Sequence, residues 1–176
     1  MHPCATHFPV LLACLRHTSG PVLELGGGWF STPLLAAFSL DRLVVTIEAD
    51  RDWYSRLVAF CSGMPSSVKH RILHVGDYAE APIDEQHWSV VLLDHAPAER
   101  RGIDLLRLQG RADLLVLHDS EDPAYGYEKG CSRFKYRYDH KELSPWTSVV
   151  SDADPLDWLP AMIGGVSMAS SEGKPC

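Results

Sequence analysis

Apolar positions along the chain fall into two alternating patterns, one with helical spacing and one of short continuous runs. Leu11, Leu12 and Leu15 share a face of a helix over residues 5–17, which Ser19, Gly20 and Pro21 stop. Val22-Leu23-Glu24-Leu25 is a short apolar strand that runs into three glycines. The next helix is predicted from Thr32 to Leu40, with Thr32 as N-cap and Pro33 in the first helical position. A β-branched strand, Leu43 to Ile47, ends in Glu48, and Asp50 caps a helix reaching Cys61. Trp53, Leu57 and Phe60 sit on it at helical spacing, and Gly63 and Pro65 break it. A third strand, Arg71 to Val75, closes on Gly76-Asp77, and a fourth, Trp88 to Leu93, closes on Asp94. Glu99 to Gln109 is helical, with Leu105, Leu106 and Leu108 for packing, and a fifth strand, Ala112 to Leu117, ends in His118-Asp119.

Continuous apolar strands alternating with helices predict a parallel sheet covered on both faces. The pattern then changes. Phe134 to Tyr138 alternates strictly, as does the region from Trp146 to Val150, with Glu142-Leu143-Ser144-Pro145 between them. This predicts an antiparallel hairpin with one wet face. The expected architecture is a single doubly wound, Rossmann-like α/β domain over 1–160. Its sheet has seven strands, mostly parallel, and ends in the hairpin. Residues 161–176, rich in Ser, Gly and small side chains, are expected to form a loose tail.

The composition narrows this little. The chain has 176 residues, 45% hydrophobic and 22% charged, as expected for one soluble globular domain. Its longest apolar run, Phe8 to Leu15, falls far short of the roughly 20 residues of a membrane helix. No Lys or Arg precedes that run, so it reads as an amphipathic helix and not a signal peptide. Sixteen basic against 23 acidic residues give a formal charge of -7, which argues against a non-specific nucleic-acid binder. Cys4, Cys14, Cys61, Cys131 and Cys176 are odd in number and form no C-x-x-C pair. They read as free thiols in a reducing compartment, and the cytoplasm is the expected location.

In open parallel sheets, ligands bind beyond the carboxyl ends of the strands. Those ends here carry Glu24 to Gly28, Glu48, Asp77, Asp94-His95 and His118-Asp119. Gly26-Gly27-Gly28 lets backbone approach a ligand closely, and the following helix aims its amides at the site. Glu48, at the end of the second strand, is placed to accept both hydroxyls of a ribose. A nicotinamide dinucleotide would need a third glycine where Ser31 stands, and Trp29 and Phe30 would crowd a pyrophosphate. Glu24 would repel a pyrophosphate but suits the amino group of methionine. These points favour S-adenosylmethionine.

At this point the sequence resembles the class I S-adenosylmethionine-dependent methyltransferases, over residues 5–152. VLELGGGWFS resembles the family's first motif, VVTIEAD the second, HVGDY the third and WSVVLLDHAP the fourth. The closing hairpin matches the family's last two strands. The resemblance implies cofactor contacts from Glu24, Gly26, Gly27, Gly28, Ser31, Glu48, Ala49, Asp77, Tyr78 and Asp94. TIEAD and LLDH are most similar to the catechol-type O-methyltransferases. That subfamily holds a divalent ion with the acid of its LDH motif and an Asp-Asn pair. Asp94 and Asp119 match, but Ser120 replaces the Asn, and Pro97 replaces a lysine base. Two carboxylates alone make a weak magnesium site, so no metal ligand is predicted.

The expected acceptor is a small molecule methylated at oxygen or nitrogen. Asp94, His95, His118 and Asp119 would face it, the histidines as candidate bases. His7, His70 and His140 read as structural. The segment Tyr125 to Arg137, with Tyr127, Lys129, Arg133, Phe134, Lys135 and Tyr136, could cap an acceptor or contact RNA, or pack its aromatic face on the sheet. Three alternatives stay open at this stage: an adenosine-cofactor-binding protein without transferase activity, a nicotinamide oxidoreductase, against which Ser31 and the hairpin count, and an RNA methyltransferase. A partner subunit closing the site is compatible with so short a chain.

Overall fold

The computed structural model describes residues 2–65 and 67–167. Seven strands form one sheet: β1 (Val22–Leu25), β2 (Val44–Glu48), β3 (His70–His74), β4 (Trp88–Leu93), β5 (Ala112–His118), β6 (Tyr136–His140) and β7 (Thr147–Ser151). Their order is β3-β2-β1-β4-β5-β7-β6. All neighbours are parallel except β5–β7 and β6–β7. Val22 pairs with Val44 on one side and Val90 on the other. The strand order therefore reverses between β1 and β4, which places the ligand crevice of a doubly wound sheet above their carboxyl ends.

Period-two alternation sorts the strand residues between two cores. On one face Val22, Val44, Val90, Leu92, Leu114, Val116 and Val149 pack under α1 (Phe8–His17), α2 (Ser31–Phe38) and α6 (Leu159–Ser167). On the other, Leu23, Leu25, Val45, Ile47, Val91, Leu93, Leu115, Leu117 and Val150 meet α4 (Ala98–Arg107) and α5 (Tyr127–Cys131). The remaining helix, α3 (Arg51–Ser62), starts at Asp50, whose carboxylate accepts the Trp53 amide at 2.7 Å. Between β3 and β4 the chain makes only a 3-10 turn, Tyr78–Glu80. Among the described residues no helix is long and apolar enough to cross a membrane.

Three expectations are corrected. Thr32 is not an N-cap: α2 starts at Ser31, and the Thr32 hydroxyl is spent beneath the glycine turn. The hairpin has no common wet face, because β7 lies between β5 and β6 and is buried at every position, leaving partial exposure to β6 alone. Residues from 161 onward are not loose throughout. Through Ser167 they belong to α6, whose Leu159 and Ile163 are buried against α1. Trp158 stacks on His17 at 3.8 Å and donates its indole N–H to Asp154, which also holds His17. Residues 168–176, including Cys176, lie outside the described residues. The described cysteines, Cys4, Cys14, Cys61 and Cys131, are free thiols.

The Tyr125–Arg137 segment packs more than it protrudes. Tyr127, Cys131 and Phe134 enter the core, Tyr136 packs against the α1 side, and Arg137 pairs with Asp139 at 2.7 Å. Leu159→Ala tests the docking of α6. Removing a fully buried leucine should lower unfolding stability by about 2 to 5 kcal/mol in a urea titration. A midpoint equal to that of the wild type would mean that α6 is not docked.

Candidate functional site

The carboxyl ends of β1, β2 and β4 enclose a cleft of about 450 Å³ lined by Gly26, Gly27, Glu48, Asp50, Trp53, Arg56, Asp94 and the His95-Ala96 backbone, among others. Gly26 has φ of +83°, and a Cβ there would lie 2.5 Å from the Asp94 carbonyl. Only glycine lets the turn after β1 pass this close to the turn after β4. Glu48 folds back over the same turn. Its Oε2 accepts the Gly27 amide at 3.1 Å, and its Oε1 accepts the Ala49 and Asp50 amides at 2.8 Å each. The Trp53 indole N–H donates to the Gly27 carbonyl, and Trp29 meets the Trp53 ring edge-on at 5.1 Å.

Glu24 lies beneath this turn and is fully buried. Its Oε2 accepts the hydroxyls of Thr32 at 2.8 Å and Thr46 at 2.6 Å, while Oε1 has no partner. The Thr32 hydroxyl in turn accepts the Gly28 amide at 3.0 Å. The turn thus hangs on Glu24 through one hydroxyl. Burial pushes the Glu24 carboxyl up to about 7, against the hydrogen bonds that favour its charge. Ser31 is also buried. Glu24 and Ser31 are both buried beneath the cleft, and in this structure Glu24 holds the turn from below.

At the neighbouring strand ends, Asp94 and Asp119 face each other across one guanidinium. Arg101, from α4, sets Nη2 3.0 Å from Asp94 Oδ1 and Nη1 3.1 Å from Asp119 Oδ2. It also donates Nε to the His95 carbonyl at 2.6 Å and Nη1 to the His118 carbonyl at 3.3 Å. The Tyr125 ring covers it at 4.1 Å. His118 sits in the same cluster, with Nδ1 3.0 Å from Asp94 and Nε2 3.0 Å from the Thr6 hydroxyl. Burial alone would lower the His118 pKa, but the hydrogen bond and charge of Asp94, with Asp119, raise it above the usual value. Asp94 moves the other way. Burial opposes its charge, yet His118 and Arg101 hold it below the ordinary carboxylate range. His7 meets the His118 ring edge-on at 4.8 Å. It is buried with both nitrogens unpartnered, and burial lowers it to about 4.

The strand ends therefore bring together Gly26, Gly27, Glu48 and Asp94 in the cleft, and Asp94, His118 and Asp119 beside it. The turn amide of Gly28 and the Ala49 amide are held from below and behind. Three further expected residues are held by their own partners. The His95 imidazole is fully buried on the α4 side, where Nε2 meets Asp104 at 3.1 Å, so it is not an acceptor-facing base. Asp104 is also held by Arg100 at 2.8 Å and Arg107 at 2.9 Å. Tyr78 is buried, and its hydroxyl lies 3.3 Å from the Ile47 carbonyl and 3.4 Å from Glu48. Asp77 is exposed and caps the Tyr78–Glu80 turn through the Ala79 amide at 2.7 Å. Sequence reasoning missed Arg101, Thr6 and Trp53. It read His7 as structural, whereas the fold sets His7 against the cluster. Arg101 had one signal: two adjacent arginines follow the LDH stretch, at the start of a helix that packs across both strand ends.

The residues fit an adenosine cofactor. Glu48 lines a cleft floored by glycines without side chains, at the switch point of the sheet. They do not fit a magnesium ion between Asp94 and Asp119, because Arg101 fills that position.

No protein-family profile and no curated protein matches the sequence. Solved structures do match the fold. A methyltransferase from Geobacter sulfurreducens superposes with a TM-score of 0.62 at 18% identity, covering 88% of this chain and 80% of its own. A methyltransferase from Pyrococcus furiosus gives 0.57 at 14% identity, over 83% of each chain. The bifunctional kinase-methyltransferase WbdD gives 0.63 at 14% identity over 85% of this chain, which spans only 40% of that protein. The chain has the class I methyltransferase fold.

Glu24 gives this site a pH signature. Folding raises its pKa, so the native state keeps a proton that the unfolded chain has already lost. Its contribution to stability is therefore full below the usual carboxylate range and is lost as pH rises towards about 7. The loss is on the order of 3 kcal/mol, at about 1.4 kcal/mol per pH unit. Glu24→Gln keeps an acceptor for both threonines, and in urea unfolding the stability of the wild type relative to this variant should fall by most of this amount between pH 5 and 8. A difference that does not change with pH would show that Glu24 does not titrate this way.

Proposed function

We propose that the chain binds S-adenosylmethionine in the cleft above β1, β2 and β4 and transfers its methyl group to a small-molecule acceptor beside Asp94 and Asp119. One observation carries the reading. A glycine turn and a ribose-type carboxylate, Glu48, share a cleft at the switch point of a class I methyltransferase sheet. A second cavity of about 490 Å³, lined by Asp119, Glu121, Asp122, Tyr125 and Pro145, supports an acceptor pocket on the other side of Asp119.

When bound, S-adenosylmethionine supplies a methyl group on a sulfonium, displaced in line so that the electron pair of the broken C–S bond stays on sulfur. The chain's own residues position the reactants, and in a displacement of this kind positioning supplies much of the rate. Glu48 would accept the ribose hydroxyls while holding the Gly27 amide. Asp94, kept anionic by His118 and Arg101, lines the first cavity, and Arg101 ties it to Asp119 of the second. The Asp119 carboxylate is the candidate to take the proton of an acceptor hydroxyl or ammonium as the new bond forms. His118 is biased towards the imidazolium. Both of its ring nitrogens are engaged, Nδ1 with Asp94 and Nε2 with Thr6, so it positions the Asp94 carboxylate.

Thermal unfolding with S-adenosylhomocysteine, beside NAD, tests the reading. Ligand at a hundred times its dissociation constant should add about 2.7 kcal/mol, a shift of roughly 5 to 10 °C. NAD should leave the midpoint unmoved. Glu48→Ala should weaken S-adenosylhomocysteine binding by about 1.5 to 3 kcal/mol, tenfold to over a hundredfold by calorimetry. A shift with NAD alone, or none with S-adenosylhomocysteine, would remove this function.

A further inference from the structure

We propose that Arg101 is the resident cation of the acceptor site: its guanidinium holds Asp94 and Asp119 in the place a divalent metal would take, and so keeps metal out. Asp94 and Asp119 leave adjacent strand ends, and without a cation their side chains would repel each other in a partly buried setting. Arg101 supplies that cation permanently, because a guanidinium is not deprotonated in proteins. It is fixed from every side. Two carboxylates stand at 3.0 and 3.1 Å, two strand-end carbonyls at 2.6 and 3.3 Å, and Tyr125 covers its face. The side chain is 7% exposed, so it cannot swing aside without breaking all of these contacts together.

A divalent ion needs carboxylate oxygens converging to about 2.0 to 2.6 Å. Here Asp119 Oδ2 already accepts from Arg101 Nη1, and Asp94 Oδ1 is ion-paired with Nη2 and hydrogen-bonded with His118. An ion entering between them would sit against a buried positive charge. Ser120, on the far side of Asp119, hydrogen-bonds with the Ser148 hydroxyl at 2.8 Å, so the hydroxyl that could supply a third ligand is also engaged. The one other grouping of this kind among the described residues is His7, Asp94 and His118, with ligand atoms within 4.8 Å. It is closed by the same contacts. His118 spends one nitrogen on Asp94 and the other on Thr6, and Asp94 is the carboxylate that Arg101 holds.

The inference is independent of methyl transfer, because metal binding is read directly. Purified full-length protein is titrated with Mn²⁺, and the electron paramagnetic resonance signal of the free aqueous ion reports binding. The wild type is expected to show no saturable site that depends on Asp119. Arg101→Ala should gain one Mn²⁺ per chain and lose it again when Asp119→Asn is added. Arg101→Gln, which keeps a donor for the strand-end carbonyls but carries no charge, should gain the same site. A wild-type Mn²⁺ site abolished by Asp119→Asn would overturn the proposal whatever the variants do. So would either Arg101 variant that melts cooperatively and still binds no Mn²⁺.

Discussion

Two carboxylates at neighbouring strand ends cannot be drawn into a protein surface side by side without a positive charge between them, and Arg101 supplies that charge. Removing either partner from such a cluster leaves an uncompensated, partly buried ion, which is costly. The guanidinium also takes the carbonyls of His95 and His118, the last backbone acceptors of the two turns. One side chain from α4 therefore ties together the turns that leave the carboxyl ends of β4 and β5. The covering segment follows from it. Tyr125 stacks on the guanidinium, and the Tyr127 hydroxyl reaches the Leu93 carbonyl at 3.3 Å. The 123–131 stretch thus becomes a wall of the site and not a free loop.

The cleft above β1 and β2 solves a related problem with two acids of one type in two settings. Glu48 stays at the rim and satisfies three amides of the two turns that border the cleft. Glu24 lies directly beneath, with one oxygen on two threonine hydroxyls and the other without a partner. The buried acid holds the turn from below and the rim acid from above. The turn is therefore organised before any ligand arrives, and less of the binding free energy goes into ordering it. The cost is a carboxyl whose charge the interior resists.

The layered part of this arrangement was legible in the sequence for a physical reason. Buried strands such as Trp88–Leu93 must be apolar throughout, and glycine after β1 is demanded by the close pass to Asp94. Both demands leave marks on single residues. Charge networks leave no such mark. His95 follows Asp94 directly and has the look of a base, yet strand geometry turns successive side chains to opposite faces. That turn carries His95 to Asp104, away from the cleft. His7 belongs to an N-terminal helix far away in the chain, and only the packing of α1 on β5 brings it to His118. The tail was misread for a similar reason. Gly, Ser and Ala predict looseness locally, whereas Leu159 and Ile163 have a partner surface on α1 that the local pattern does not reveal.

The aromatic residues of the glycine turn show how far composition can mislead about a site. Trp29 and Phe30 look as if they must crowd whatever the turn binds. In the fold both stand outward: Trp29 is 51% exposed against the edge of Trp53, and Phe30 stacks on His2 at 5.2 Å. Trp53 itself leans from α3 and gives its indole N–H to the Gly27 carbonyl. Of the three, Trp53 lines the cleft, and Trp29 backs its ring from outside.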